Sequence, residues 1–176
     1  MSTEALADTA QARIDAAWQV LHGVLDPEVP VLSVCDLGIV RGVAVDGELL
    51  HVTLTPTYSG CPATEVIESS VRDALQAAGL GPLRIVQQRA PAWTSDWISA
   101  EAREKLRAYG IAPPCQVAVS AEQDSYQPLR FMPAPLACPR CGSRHTERLS
   151  AFGTTACKAV HRCLACREPF EHFKPI

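Results

Sequence analysis

Eight cysteines occur in this chain of 176 residues, and four of them form two Cys-x-x-Cys pairs near the C-terminus, Cys138 with Cys141 and Cys163 with Cys166. A two-residue gap lets both sulfurs of a pair face one ion from a tight turn. The spacing therefore predicts a site in which four thiolates bind a structural Zn²⁺, and a single iron is the alternative because it also accepts four tetrahedral thiolates. Two disulfides are a further alternative, but Cys-x-x-Cys bridges are more often redox-active than structural.

A fifth cysteine, Cys61, precedes Pro62 and a stretch with helical hydrophobic spacing. Proline is favoured in the first position of a helix, so we expect Cys61 at or beside the N-cap. Unpaired N–H groups and the helix dipole favour a thiolate there, and a thiolate is a nucleophile or a metal ligand. The alternative is a small buried cysteine in a turn, and position alone favours neither.

The other three cysteines receive no functional assignment from their spacing. Cys35 lies in an apolar run, and we expect it to be a small core residue. Cys115 has no neighbour at metal-ligand spacing. Cys157 lies between the two C-terminal pairs, where a tetrahedral site is already complete without it, so it remains a spare thiol.

Hydrophobic periodicity predicts an α/β (α+β) domain over residues 1–110. Pro113 to Pro135 includes five prolines, which indicates a linker over 111–136, followed by a zinc ribbon over 137–176. The dipeptide Asp46-Gly47 predicts a hairpin turn, and Leu50, Val52 and Leu54 predict one buried face of its second strand. In chain order the predicted elements are a helix over 9–25, strands over 31–45 and 48–55, a helix over 63–78, a strand over 83–88 and a helix over 98–110.

Composition and charge limit the classes of partner. No apolar stretch approaches the roughly 18 residues needed to span a bilayer, and the N-terminus has no apolar signal core, so we expect a cytoplasmic protein without a membrane partner. Residues 137–176 hold seven Lys or Arg against three Asp or Glu, within a net charge of −3 for the whole chain. This excess gives weak support for nucleic-acid binding, but no base-stacking aromatic platform accompanies it.

Several signature segments resemble a known family. Asp26-Pro-Glu-Val-Pro30, Asp36-Leu-Gly-Ile-Val40, Ser59-Gly-Cys-Pro62 and the segment from Pro91 to Ser99 are similar to motifs of the MIP18 (DUF59) family. The C-terminal Phe152-Gly-Thr-Thr-Ala-Cys-Lys158 motif resembles more narrowly the family of D proteins of bacterial phenylacetyl-CoA epoxidase systems. Together these resemblances cover the N-terminal domain and the ribbon.

The resemblance implies a MIP18-like domain with a small mixed sheet and flanking helices. It also implies an accessory or maturation factor for the ring 1,2-epoxidase of aerobic phenylacetate catabolism, one that assists iron or iron-sulfur cluster assembly or delivery without independent catalytic activity. The implied partners are the epoxidase subunits, namely a diiron oxygenase and an iron-sulfur flavin reductase. An integral, non-catalytic subunit of the oxygenase is the alternative. It is the less favoured one, because the chain lacks the helical Glu-x-x-His pairs that a carboxylate diiron site requires.

By the same resemblance, Cys61 is the family's functional cysteine, and Asp26 and Glu28 lie in the neighbouring signature turn. For the two acids, turn formation and helix capping is the structural alternative. One cysteine supplies only one ligand of a cluster, so the resemblance implies that the other ligands come from a second copy in a homodimer or from the client protein that receives the cluster. Relatives often have a cysteine where this chain has Pro175, so a role for that cysteine is not general.

Overall fold

The computed structural model describes residues 3–58, 60–115 and 136–176, with the side chains of 3–8 left out. Most of the predicted linker, residues 116–135, and Ser59 of the third signature segment lie outside the described residues. The chain divides into two compact units, Met1–Ala102 and Arg103–Ile176, and the domain bounds 1–110, 111–136 and 137–176 remain a prediction. Within the described residues, every helix is too short or too polar to cross a lipid bilayer.

The first unit contains two helices and a three-stranded mixed sheet. Strands β1 and β2 are antiparallel, β3 is parallel to β2, and β2 is central. The parallel pair requires a crossover, which α2 supplies. The elements are α1 (Thr3–His22), β1 (Val40–Asp46), β2 (Leu49–Leu54), α2 (Thr64–Ala77) and β3 (Leu83–Gln87), followed by a 3₁₀ turn at Ser95–Trp97.

The core of this unit lies on one face of the sheet. Leu50, Val52 and Leu54 of β2 are all buried, as their alternation predicts. Helix α1 packs on β1 and on α2, which contacts β3. The helices contribute buried side chains at helical spacing: Ala17 and Leu21 from α1, and Ile67, Val71 and Leu75 from α2.

Two predicted elements are wrong in extent. Helix α1 ends at His22, so Leu25, the last residue of the predicted helix, lies beyond it and is 54% exposed. The strand predicted over 31–45 begins only at Val40. The backbone amide of Ser33 donates to Asp36 Oδ2 and that of Asp36 donates to Ser33 Oγ, both at 3.0 Å, and these side-chain bonds favour turns over an extended strand.

The second unit contains a four-stranded sheet in the order β4-β7-β6-β5. Strand β4 is parallel to β7, and the other neighbours are antiparallel. Helix α3, which starts before the unit, is N-capped by Ser99, whose Oγ accepts from the Ala102 amide at 3.0 Å. The elements are α3 (Ala100–Tyr109), β4 (Ile111–Ala112), β5 (Thr146–Ser150), β6 (Lys158–Cys163) and β7 (Pro169–Phe173). The predicted combination of an α/β domain and a C-terminal ribbon is therefore confirmed.

Candidate functional site: a four-thiolate metal centre

Each Cys-x-x-Cys pair lies on a tight turn. In the first turn, the Cys138 amide donates to the Ser143 carbonyl and the Gly142 amide donates to the Cys138 carbonyl, both at 2.9 Å. Gly142 has φ of +73°, a left-handed conformation that glycine adopts without steric cost. In the second turn, at the end of β6, the Cys163 amide donates to the Glu168 carbonyl at 3.0 Å.

The two turns bring all four sulfurs within 4.8 Å of one another. The Sγ atoms of Cys138 and Cys166 are 3.8 Å apart, and those of Cys141 and Cys163 are 3.6 Å apart. An ion about 2.3 Å from each of four tetrahedral sulfurs places those sulfurs roughly 3.8 Å apart, so the four cysteines form a metal-binding cluster. A disulfide would need about 2.05 Å, and all eight cysteines are free thiols.

The local backbone favours a thiolate at Cys163. The Cys166 amide donates to Cys163 Sγ at 3.5 Å, and this hydrogen bond is the main cause that lowers the pKa of Cys163. Cys138 and Cys163 are buried, whereas Cys141 is exposed. The small apolar cluster around the centre contains Ala112, Phe170 and Leu136, and three of the four cysteines complete it. The metal ligands are thus part of the ribbon's core.

A second network, absent from the sequence-based prediction, lies on the other face of the ribbon sheet. Buried Lys158 forms an ion pair with Glu171, with 2.9 Å between Nζ and Oε2. Glu171 Oε1 accepts from both the amide and the hydroxyl of Thr154, each at 2.9 Å. A Cβ on Gly153 would lie 2.6 Å from that same oxygen. The Phe152–Lys158 motif carries the signal for this network, because it includes three of its four members.

Cys61 lies in the loop between β2 and α2 and is partly exposed. Its amide donates to the Tyr58 carbonyl, and its own carbonyl accepts from the Thr64 amide, both at 3.2 Å. The N-cap of α2 is Ala63, so Cys61 precedes the cap by two residues and the predicted capping position is wrong. Cys61 is held by turn hydrogen bonds at the entrance to the helix.

Asp26 and Glu28 occupy the turn after α1. Asp26 is 5% exposed, and its Oδ1 accepts from the amides of Glu28 at 2.9 Å and Val29 at 2.7 Å. These bonds make the Asp26 carboxylate a turn-forming group, as the structural alternative expects. Within the described chain, no group of three or more candidate metal ligands includes Cys61, Asp26 or Glu28.

The three remaining cysteines differ in environment. Cys35, predicted as a core residue, is only half-buried. Its partial burial, and secondly the charge of Asp36, raise the pKa of its thiol to about 12, so the thiol stays protonated at neutral pH. Cys115 is exposed, and Cys157 is buried with its Sγ 3.0 Å from the hydroxyl of Thr155. Cys157 does not join the four-thiolate cluster.

Two signature segments of the first unit pack against each other. Trp93 Nε1 donates to the Leu37 carbonyl at 2.9 Å, and Trp93 is buried. Gly38 has φ of +67°, and a Cβ there would lie 2.8 Å from Trp97 Cβ. The Asp36–Val40 and Pro91–Ser99 segments thus fix each other, a contact between distant positions that their separate motifs do not reveal.

Comparison with known proteins agrees with this two-part architecture. Residues 14–81 match the family described as iron-sulfur cluster assembly protein, and residues 123–174 match the PaaD zinc beta ribbon domain. A crystal structure of a domain of unknown function DUF59 from Bacillus anthracis is similar with a TM-score of 0.53 and 26% identity, covering 57% of this chain and 96% of that one. The expected MIP18 (DUF59) resemblance is confirmed.

Two curated relatives define the family more narrowly. An Fe-S protein maturation auxiliary factor of Porphyromonas gingivalis (strain ATCC BAA-308 / W83) is 36% identical over 50% of this chain and 85% of its own length. An Escherichia coli (strain K12) protein, named as the D component among the subunits of 1,2-phenylacetyl-CoA epoxidase, is 46% identical over 97% of this chain and 98% of its own length. Since this similarity extends over both domains, the chain belongs to the family of phenylacetyl-CoA epoxidase D proteins, in which a DUF59-type domain is joined to a PaaD zinc ribbon.

Proposed function

We propose that this protein is a cytoplasmic accessory factor of a phenylacetyl-CoA epoxidase in aerobic phenylacetate catabolism, and that it assists the assembly or delivery of iron or an iron-sulfur cluster. In this proposal the protein performs no independent catalysis. Its partners are the epoxidase subunits, either the diiron oxygenase or the iron-sulfur flavin reductase. The observation that carries the proposal is the full-length similarity to an epoxidase D protein, in a chain whose N-terminal half matches an iron-sulfur cluster assembly family.

In this proposal Cys61 receives and passes the cargo. Its partial exposure supports the role, because a transferring thiol must reach both the cargo and the partner. One cysteine provides one ligand, so the others come from the client or from a second copy of this chain. In the proposal Asp26 has an indirect role, because its carboxylate holds the 26–29 turn in place. Glu28, half-buried in the same turn, is a further candidate for contact with the cargo.

The ribbon holds a structural Zn²⁺ in the proposal. Cys138, Cys141, Cys163 and Cys166 are the ligands, and their separations of 3.6 and 3.8 Å suit a closed tetrahedral site. Zinc is redox-inactive and therefore fits a structural role separate from the cargo. Visible light distinguishes the two ions, because a single iron bound by thiolates absorbs it and zinc does not. The four protein ligands leave no open coordination position for chemistry.

The decisive experiment measures zinc, iron and acid-labile sulfide in anaerobically purified wild type, Cys61→Ala and Cys115→Ala. We expect one zinc in each of the three proteins. Iron and sulfide should be present in wild type and Cys115→Ala and absent from Cys61→Ala. The iron content of the epoxidase subunits, produced together with each variant, should fall only with Cys61→Ala. Full client iron with Cys61→Ala would exclude the transfer role of this residue.

An integral, non-catalytic subunit is the second candidate, and the name of the Escherichia coli relative favours it. The two candidates differ in when the protein is needed. A maturation factor is required while the epoxidase acquires its metals and is dispensable afterwards, whereas an integral subunit is required during turnover. Epoxidation by mature complex from which this chain has been removed would support the first candidate, and activity restored only by adding the chain back would support the second.

A further inference from the structure

Two large apolar side chains of the ribbon are exposed close together. Leu149 is 52% exposed and Phe152 is 65% exposed, the highest value for a large apolar side chain in the described residues. Three residues of extended chain span at most about 11 Å, so the two residues lie near each other at the end of the edge strand β5, and we call the pair the patch. Water contact of this kind is unfavourable for both side chains unless a partner covers them.

The backbone directs Leu149 outwards. In the β5–β6 ladder Arg148 pairs with His161 and Ser150 pairs with Val160, so Leu149 is the extra residue of a β-bulge. A bulge re-aims a side chain and terminates regular pairing. The bulge also makes β5 a poor template for adding another strand, so we expect side chains rather than the strand edge to contact a partner.

The ion-pair network fixes the loop that carries Phe152. The Gly153 amide donates to the Lys158 carbonyl at 2.8 Å, and Thr154 bonds to Glu171 through both amide and hydroxyl. Lys174 Nζ lies 4.6 Å from the centre of the Phe152 ring and donates to the Ala151 carbonyl at 3.3 Å. An exposed aromatic ring on a fixed backbone loses little conformational entropy on binding, which is a property of interface hot spots.

The formal charge of the ribbon, residues 137–176, is positive. Of the three acids in residues 137–176, Glu147 pairs with Arg162 and Glu171 pairs with Lys158. Glu168 therefore remains against five cations, Arg140, Arg144, Arg148, Arg167 and Lys174. A four-thiolate zinc site would carry two negative charges, which offsets only part of this excess. Two of these five cations lie at the patch, Arg148 next to Leu149 in β5 and Lys174 over the Phe152 ring. The patch is therefore complementary to an acidic protein surface.

We propose that Leu149 and Phe152 form the docking site for an acidic surface with an apolar centre on a subunit of the phenylacetyl-CoA epoxidase. The inference rests on the proposed function for the identity of the partner, and it assigns the contact to the ribbon rather than to the loop of Cys61. The apolar pair supplies the buried centre of the interface, and Arg148 and Lys174 supply its charged rim.

The test measures the Kd of the full-length, zinc-loaded protein for purified epoxidase subunits by biolayer interferometry. The variants are Phe152→Ala and Leu149→Ala, with Tyr109→Ala as the matched control because Tyr109 is 58% exposed on α3. We expect each patch variant to raise Kd at least about tenfold and the control to leave it unchanged. Arg148→Glu should weaken binding and reduce its salt dependence, whereas Arg84→Glu on β3 should not.

If wild type binds an epoxidase subunit and the patch variants bind it with the same Kd, the docking site is overturned and the proposed function stays intact. Wild type that binds no epoxidase subunit would overturn the proposed function and this inference with it. Self-association or retention of a DNA duplex that is lost in Phe152→Ala, with epoxidase binding unchanged, would assign the patch to a second copy or to nucleic acid and overturn the inference. Zinc content and circular dichroism of each variant verify that the ribbon is folded.

Discussion

The ammonium group of Lys158 lies 2.9 Å from the carboxylate of Glu171 across the β6–β7 ladder of the ribbon. The Lys158 side chain is 4% exposed and that of Glu171 is 23% exposed, so both charges are largely removed from water. A buried charge needs its partner and further hydrogen bonds, and Thr154 provides two of these to Glu171. The pair therefore specifies how the 151–157 loop folds over the sheet.

Removal of one member of this pair should destabilise the ribbon strongly. With Glu171→Gln, the Lys158 ammonium remains buried without a countercharge, and we expect the free energy of unfolding of the zinc-loaded ribbon to fall by about 3–5 kcal/mol. The exposed Glu147–Arg162 pair is the matched control, and Arg162→Gln should cost at most about 1 kcal/mol. Chemical denaturation followed by circular dichroism measures both, and equal effects would contradict this view of Lys158.

The contribution of Glu171 to the free energy of unfolding should decrease as the pH is lowered. Burial by itself raises the pKa of Glu171, but hydrogen bonds from Thr154 and Lys158 and the charge of Lys158 outweigh it and hold the pKa below its ordinary value. The stabilisation is therefore complete above the ordinary glutamate pKa of about 4.3 and is lost as the pH falls through the lowered pKa. The stability difference between wild type and Glu171→Gln should be constant from pH 8 to about pH 5 and shrink below that, and a difference that grows on acidification would contradict it.

Metal removal should unfold the ribbon. Three of the six residues in its apolar cluster are cysteines of the metal centre, so little core remains without the ion. Structural zinc contributes roughly 10–16 kcal/mol in model peptides. We expect chelation, or Cys163→Ser, to abolish the NMR dispersion of β5, β6 and β7 while the β1–β3 sheet stays folded. Cys157→Ser is the control and should retain both zinc and dispersion, since Cys157 lies outside the cluster.

Alkylation should distinguish the cysteines outside the ribbon. Because burial and Asp36 raise the pKa of Cys35 to about 12, only about one thiol in 10⁴ is ionised at pH 8. Iodoacetamide at that pH should therefore modify exposed Cys115 and partly exposed Cys61, and it should spare Cys35, which is also partly exposed but stays protonated. Peptide mapping by mass spectrometry over a time course measures the three rates, and modification of Cys35 at the rate of Cys115 would contradict the burial argument.

Gly38 should tolerate no side chain. It has φ of +67°, and a Cβ would lie 2.8 Å from Trp97 Cβ and 2.9 Å from the Trp97 carbonyl oxygen. Gly38→Ala therefore combines left-handed strain with an overlap against backbone, and we expect it to lower the melting temperature of the first unit far more than Gly47→Ala. Gly47 also has positive φ, at +58°, but nothing lies within 4 Å of its Cβ position, so its substitution costs only about 1–2 kcal/mol of strain.

The sequence by itself determined the elements that depend on local rules. The alternation of Leu50, Val52 and Leu54 predicted the buried face of β2, because it depends on residues a few positions apart. Two Cys-x-x-Cys spacings predicted the four-sulfur cluster, because each pair is local and one tetrahedral ion requires four thiolates. Local rules failed where side chains compete for the backbone. Ser33 and Asp36 bond to each other's amides, and the apolar run around them therefore forms turns although its β-branched residues favour a strand.

Only the tertiary structure decided which distant residues meet. The ion pair of Lys158 with Glu171, the packing of Gly38 against Trp97 and the addition of Ile111–Ala112 to the ribbon sheet join positions whose separation carries no periodic signal. The exposure of Phe152 also follows from such contacts, since Glu171 and Lys174 hold its loop from β7 and the chain that follows it. Hydrophobic pattern records which face of an element is buried, whereas the partner of each face depends on how the whole chain packs.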